Sequence, residues 1–280
     1  MKQIRELQEE TRELINRFAA VKGLSKNELS KQLDVSGATL SHIENGHVDK
    51  LTESMLLKIK NKLDSGNNWT LVRTSNFLTI EKICNEARRT KRMYGIIGYS
   101  GAGKTTALSV YYKNHPDTYL ITCKKTMSPK QFFIQLLKVL GIQFTGTIYD
   151  IIERIANELN SKKDAVVLID EAGKLSHTIL LYLHDLRDWT ENTTGIVLAG
   201  VEYFKSNLRK AVERQKEGIP ELFNRIGFWQ ELNAPTPAEI EKICEVNGIA
   251  DESQSKKIVL ASNDYRNVNT MVLNIKQGLV

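Results

Sequence analysis

Residues 98–105 read Gly-Tyr-Ser-Gly-Ala-Gly-Lys-Thr, and no other feature constrains the fold as strongly. The run fits G-x-x-x-x-G-K-[ST], a phosphate-binding loop that works only between a strand and a helix. Its glycines let backbone N–H groups close around phosphate oxygens. Lys104 can reach the β- and γ-phosphates, and the Thr105 hydroxyl can hold Mg²⁺. The flanks agree: Tyr94–Gly98 is a short apolar run, and residues 105–113 can form the following helix. That helix would add the partial positive charge of its N-terminus to the phosphate site. Gly98, Ser100, Gly101, Ala102, Gly103, Lys104, Thr105 and Thr106 are therefore candidate ATP contacts. The competing reading is a glycine-rich turn with no ligand.

Beyond a polar stretch at 64–76, strands and helices alternate. Strands are expected at 94–98, 118–123, 165–170, 195–200 and 227–232. Helices are expected at 76–90, 104–114, 128–140, 147–160, 176–189 and 202–213. This order implies a parallel sheet covered on both faces, an α/β fold. After Pro235 the pattern is helical again, around 236–247, 252–262 and 265–278, which makes a small C-terminal lid. Residues 165–171 read Ala-Val-Val-Leu-Ile-Asp-Glu, a continuous apolar run that marks a buried central strand. Asp170 at its end would hold the Mg²⁺ shell, and Glu171 would polarise the attacking water. A solvated turn is the bland alternative. It weakens once the phosphate loop meets the acid pair at the carboxyl edge of one sheet.

The first 63 residues look all-helical. Leu7, Leu14, Ile15 and Phe18 have helical spacing. Ser25 with Glu28 forms a capping box, Asp34-Val35 is a tight connection, Ser36 caps a second short helix, and Asn45-Gly46 stops it. Leu29, Leu33, Val35, Leu40 and Ile43 would form the small core. This is a helix-turn-helix pattern, and its Ser-His-Ile-Glu-Asn-Gly ending resembles the lambda-repressor-like family. The resemblance implies that the second helix enters the major groove, with Ser36, Gly37, Thr39 and His42 nearest the DNA. That helix carries no Arg or Lys, which dominate base contacts, so weak or loosely specific binding is expected. A helical bundle used for protein contacts is the alternative.

The phosphate loop, the acid pair and the helical lid together resemble the AAA+ ATPases over residues 70–280. Four segments follow: a helix-turn-helix domain at 1–63, a linker at 64–76, an α/β ATPase subdomain at 77–234 and the lid at 235–280. The resemblance implies ATP hydrolysis with ATP and Mg²⁺ bound. It places an arginine finger at Arg225, reaching a neighbouring subunit's γ-phosphate, and a lid sensor arginine at Arg266. A polar first sensor should end the strand at 195–200, but Gly200-Val201 stands there. Slow turnover, stimulated by DNA or a partner, is the implied consequence.

A helix-turn-helix before a compact AAA+ module resembles the family of phage Mu transposition protein B and related transposon target selectors. That resemblance implies an ATPase that assembles on target DNA as a ring or helical filament and recruits or activates a transposase. Binding to double-stranded DNA would be largely sequence-independent, through Lys124, Lys125 and Thr126. A second basic run, Arg88, Arg89, Lys91 and Arg92, competes for that role. The net charge of +6 favours a polyanion partner. Two other readings stay open: a transcriptional regulator with an ATP switch, and a replication- or partition-type ATPase. The N-terminus lacks a signal-peptide core, and no apolar run approaches the ~20 residues of a membrane span. Three scattered cysteines fit a reducing compartment. A cytoplasmic protein of bacterial or phage origin, with no membrane partner, is expected.

Overall fold

The computed structural model describes residues 2–22, 25–33, 35–47, 50–52, 55, 56, 59, 69–249 and 251–279. The Phe18 side chain, Asp34 and the first part of the expected linker lie outside the described residues. The chain divides into two compact units, Met1–Thr70 and Leu71–Val280.

In the first unit, α1 (Lys2–Lys22), α2 (Lys26–Leu33) and α3 (Gly37–Glu44) enclose a core of Ile15, Leu29, Leu33, Leu40 and Ile43, joined by Leu51, Leu56 and Ile59. The caps form as their residue types dictate. The Ser25 N–H donates to Glu28 at 2.8 Å, and the Ser36 hydroxyl accepts from the Thr39 N–H at 3.0 Å. Gln8 of α1 donates to the Ile43 carbonyl at 3.1 Å, which closes one orphan acceptor at the end of α3.

The second unit is a five-stranded sheet in the order β2-β3-β4-β1-β5. The strands are β1 (Met93–Ile97), β2 (Thr118–Thr122), β3 (Ala165–Asp170), β4 (Thr194–Gly200) and β5 (Ile226–Glu231), and every pairing is parallel. Alternate residues serve opposite faces. Tyr94, Ile96, Val166, Leu168, Val197 and Ala199 pack under α4 (Ser75–Thr90) and α5 (Lys104–Asn114). Met93, Ile97, Val167, Ile169, Ile196 and Leu198 pack on the other side. There they meet α6 (Pro129–Val139), α7 (Ile148–Asn160), α8 (His177–Trp189), α9 (Glu202–Glu213) and α10 (Ile219–Arg225). With both faces covered, β1, β3 and β4 are buried along their whole length, the pattern of a parallel sheet. Gly195 lets α4 approach β4: a Cβ there would lie 2.2 Å from the Ala87 carbonyl oxygen.

Helix α10 was not anticipated. It is only one to two turns long, and it starts where Gly218 takes φ +69° and Pro220 sits in the first turn. The lid is α11 (Pro237–Val246), α12 (Glu252–Ala261) and α13 (Tyr265–Lys276). No helix among the described residues is long and apolar enough to cross a membrane.

Candidate functional site

The loop between β1 and α5 is shaped by two glycines with left-handed backbone, Gly101 at φ +87° and Gly103 at φ +84°. Other residues rarely adopt that conformation. The Gly98 N–H donates to the Gly200 carbonyl at 3.2 Å, so the loop leaves the sheet anchored to β4. Gly98, Ser100, Gly101, Ala102 and Gly103 thus form one turn, and Lys104, Thr105 and Thr106 open α5. Lys104 is only 8% exposed and donates to the carbonyls of Gly98, at 2.8 Å, and Tyr99, at 2.9 Å. Burial lowers the Lys104 pKa, and the charges of Asp170 and Glu171 oppose that shift.

β4 separates β1 from β3 in the sheet, so the two carboxyl ends face each other across one strand. The Thr105 hydroxyl closes that gap by donating to Asp170 Oδ2 at 2.7 Å. The other Asp170 oxygen accepts from the Glu171 N–H at 2.9 Å. Burial raises the Asp170 pKa against the pull of these two hydrogen bonds. A hydroxyl and a carboxylate at this spacing are hard oxygen donors and fit Mg²⁺, which takes few protein ligands and completes its shell with phosphates and water. Glu171 follows at φ +57°, a rare conformation for a residue with a side chain, and pairs with Lys174 at 3.3 Å.

The lid reaches the same loop. The Tyr265 N–H donates to the Gly101 carbonyl at 3.1 Å, and Arg266 donates to the Ser100 hydroxyl at 3.2 Å. A Cβ on Gly101 would lie 2.5 Å from Asp264 Oδ1, so only glycine admits the lid this closely. Sequence reasoning singled out Arg266 but missed Asn76, Glu239 and Tyr265. Buried Asn76 donates to the carbonyls of Asn233, at 2.8 Å, and Ala102, at 3.4 Å. Burial opposes ionisation of Glu239, but hydrogen bonds from Thr236, Ser75 and Tyr265 outweigh it and leave the carboxyl below its usual range. Glu239 was legible as a capping-box residue after Thr236; its second role depends on tertiary contacts.

Arg225 ends α10 and lies apart from these groups. Its guanidinium pairs with Asp188 at 2.8 Å and with Glu191 at 3.1 Å. Asp188 and Glu191 flank the end of α8, whose last turn is fixed by buried Arg187 donating to the carbonyls of Thr190, Glu191 and Thr194. β4 ends at Gly200 and Val201 follows, so neither residue offers a polar side chain at the end of that strand, where the AAA+ resemblance implied one.

Lys124, Lys125 and Thr126 are exposed in the turn after β2. Among the described residues, neither lysine has a carboxylate partner within ion-pair distance. The competing basic run is different. Arg88 donates to Tyr111 at 3.1 Å and also to Thr118 and the Asp164 carbonyl; Arg89 pairs with Glu86 at 2.6 Å, and Lys91 with Asp164 at 2.7 Å. Arg88 and Lys91 tie the end of α4 to β2 and to the segment before β3, whereas Arg89 pairs within α4 and Arg92 is exposed. In the first unit, Ser36 and Thr39 share a hydroxyl–hydroxyl bond of 2.9 Å at the start of α3, Gly37 is open to solvent, and His42 lies edge-on to His47 at 5.7 Å.

Family comparison matches residues 87–208 to an AAA domain and residues 22–65 to a helix-turn-helix. The second unit therefore has the AAA+ P-loop fold, and the first carries the helices of a helix-turn-helix. A curated relative, the Mu-like prophage FluMu DNA transposition protein B of Haemophilus influenzae, is 20% identical over 189 residues. The match takes in 67% of this chain and 65% of the relative, so the chain spans somewhat under two thirds of that protein. Among solved structures, the ORC1 protein of Aeropyrum pernix in complex with DNA superimposes with a TM-score of 0.56 at 12% identity. That match covers 76% of this chain and 62% of the other. At that identity it speaks for the AAA+ fold alone.

Proposed function

We propose that this chain is an ATP-dependent DNA-binding ATPase that assembles on target DNA and regulates transposition by recruiting or activating a transposase. The observation that carries the ATPase reading is the 2.7 Å contact between Thr105 and Asp170, which joins the phosphate loop to the acid pair at one sheet edge. The similarity to a DNA transposition protein B supports the transposition reading.

In this reading the loop N–H groups of residues 101–106 bind the α- and β-phosphates. Lys104 gives up the Gly98 and Tyr99 carbonyls for the β- and γ-phosphates. Thr105 and Asp170 would hold Mg²⁺, whose charge would neutralise that developing on the phosphates. Glu171 orients the attacking water and accepts its proton, and Arg266 faces the phosphates from the lid. Arg225 leaves Asp188 and Glu191 to stabilise the transition state in a neighbouring subunit. With no polar side chain at the end of β4, one contact that would place the water is missing, so turnover is slow without DNA or a partner.

Lys124, Lys125 and Thr126 contact DNA phosphates, which gives sequence-tolerant, salt-dependent binding. The helix-turn-helix adds weak contacts through Ser36, Gly37, Thr39 and His42. Self-association into a ring or filament supplies Arg225 in trans. Co-sedimentation with nonspecific duplex tests the proposal: binding should be tight with ATP and weak with ADP or no nucleotide. Equal affinity in all three states would sink it.

A further inference from the structure

We propose that Glu239 and Tyr265 form a latch through which the lid fixes the conformation of the phosphate loop, making them positioning residues for the α- and β-phosphates of a bound nucleotide. The proposal rests on the nucleotide-site reading above.

A capping box needs one acceptor from its acid, and Glu239 supplies more than that. Its Oε2 accepts from the Thr236 N–H at 2.9 Å, the Thr236 hydroxyl at 3.2 Å and the Tyr265 hydroxyl at 3.2 Å. Its Oε1 accepts from the Ser75 N–H at 2.6 Å. One carboxylate thereby joins the first residues of α4, α11 and α13. Two of those helices continue to the phosphate loop. From α13, the Tyr265 N–H bonds the Gly101 carbonyl, which pins the plane of the Gly101–Ala102 peptide at the middle of the loop. From α4, Asn76, next to Ser75, bonds the Ala102 carbonyl, which belongs to the following Ala102–Gly103 peptide. Asp264 fits against Gly101 only because that residue lacks a Cβ. The loop is therefore gripped from two sides, and both grips meet at Glu239.

The N–H groups of this loop cradle the α- and β-phosphates, and their value as donors depends on being held in place before the ligand arrives. Loosening the latch should weaken ADP and ATP by the same factor, because the γ-phosphate is not what the pinned peptide touches. Gln in place of Glu239 offers a single acceptor oxygen and turns an NH₂ toward groups that are themselves donors. It can serve the cap or Ser75 but not both. Phe in place of Tyr265 removes only the hydroxyl.

The test is titration of the full chain with fluorescent ATP and ADP analogues, alongside thermal melts. Tyr265→Phe should weaken both nucleotides about fivefold, the scale of one net hydrogen bond. The ATP-to-ADP ratio should stay as in wild type, and the melts should show the chain folded at the assay temperature. Glu239→Gln should weaken both about tenfold or more. The double variant should bind no worse than Glu239→Gln alone, because the two groups act through one bond. As a contrast, Arg266→Ala should change the ATP-to-ADP ratio. The latch is overturned if either single variant binds like wild type, if the losses multiply in the double variant, or if either variant changes the ATP-to-ADP ratio. A wild-type chain that binds neither nucleotide would overturn the nucleotide reading itself.

Discussion

Lysines stand beyond the carboxyl ends of two parallel strands in this sheet, and they are held in opposite ways. Lys104, after β1, is buried and bonded to two carbonyls. Lys124 and Lys125, after β2, are exposed, and among the described residues no carboxylate pairs with them. A buried, pre-aimed ammonium suits a single ligand geometry and loses little order when the ligand arrives. Exposed lysines suit a polyanion met at any register, where attraction rather than fit provides the affinity. In the proposed function the same residue type would thus serve a discriminating site and a tolerant surface within one domain.

The comparison breaks most visibly at Lys104. Lys104→Ala is expected to reduce ATP affinity about 100-fold or more, the scale of deleting a charge from a desolvated pair; equilibrium binding of labelled ATP checks it. Next in size is Arg225, which lies outside the nucleotide corner of its own chain. Arg225→Ala should lower DNA-stimulated hydrolysis about 10³-fold while leaving ATP affinity unchanged, the signature of a finger supplied in trans. An unchanged turnover rate would return Arg225 to a surface ion pair. Changing Lys124 and Lys125 to Ala should flatten the dependence of duplex affinity on salt by about one unit of log–log slope per lysine. Nucleotide affinity should not move. Equal slopes for variant and wild type would remove those lysines from the DNA surface.

The smallest expected effect concerns Asp170. Burial raises its folded pKa above the ordinary carboxylate value of 3.8. The folded state then binds the proton more tightly than the unfolded chain. Without Mg²⁺, stability falls as pH rises from 3.8 through the raised value, and the penalty is fully present at neutral pH. Asp170→Asn removes the charge and keeps an acceptor for Thr105, but turns its NH₂ toward the Glu171 N–H. The melting temperature of the nucleotide-free variant should therefore vary less with pH between 3.8 and neutrality than that of the wild type. An unchanged pH dependence would contradict this account of the pair.

The strands and most helices of the second unit were legible because their signals are local. Caps such as Ser128 with Gln131 and Thr147 with Asp150 form as their spacing implies, and unbroken apolar runs mark the buried strands. The phosphate loop was legible for the same reason, since its chemistry sits in one contiguous segment. Asn76 and Tyr265 were not: each acts on a loop distant in sequence, and nothing in its own neighbourhood records that. The basic run near Arg88 shows the opposite limit. It reads as a phosphate surface, yet Arg88 and Lys91 are taken up by Tyr111, Thr118 and Asp164 from other elements, and only Arg89 and Arg92 stay exposed.

The central claim is that the nucleotide state of the buried corner controls the tolerant surface. Glu171→Gln keeps the shape of the acid pair and removes the carboxylate proposed to activate water. Release of nonspecific duplex after ATP is mixed with wild type or with this variant tests the claim directly. The expected result is release as ATP is consumed by the wild-type chain and prolonged retention by Glu171→Gln. Release at the same rate from both would contradict it.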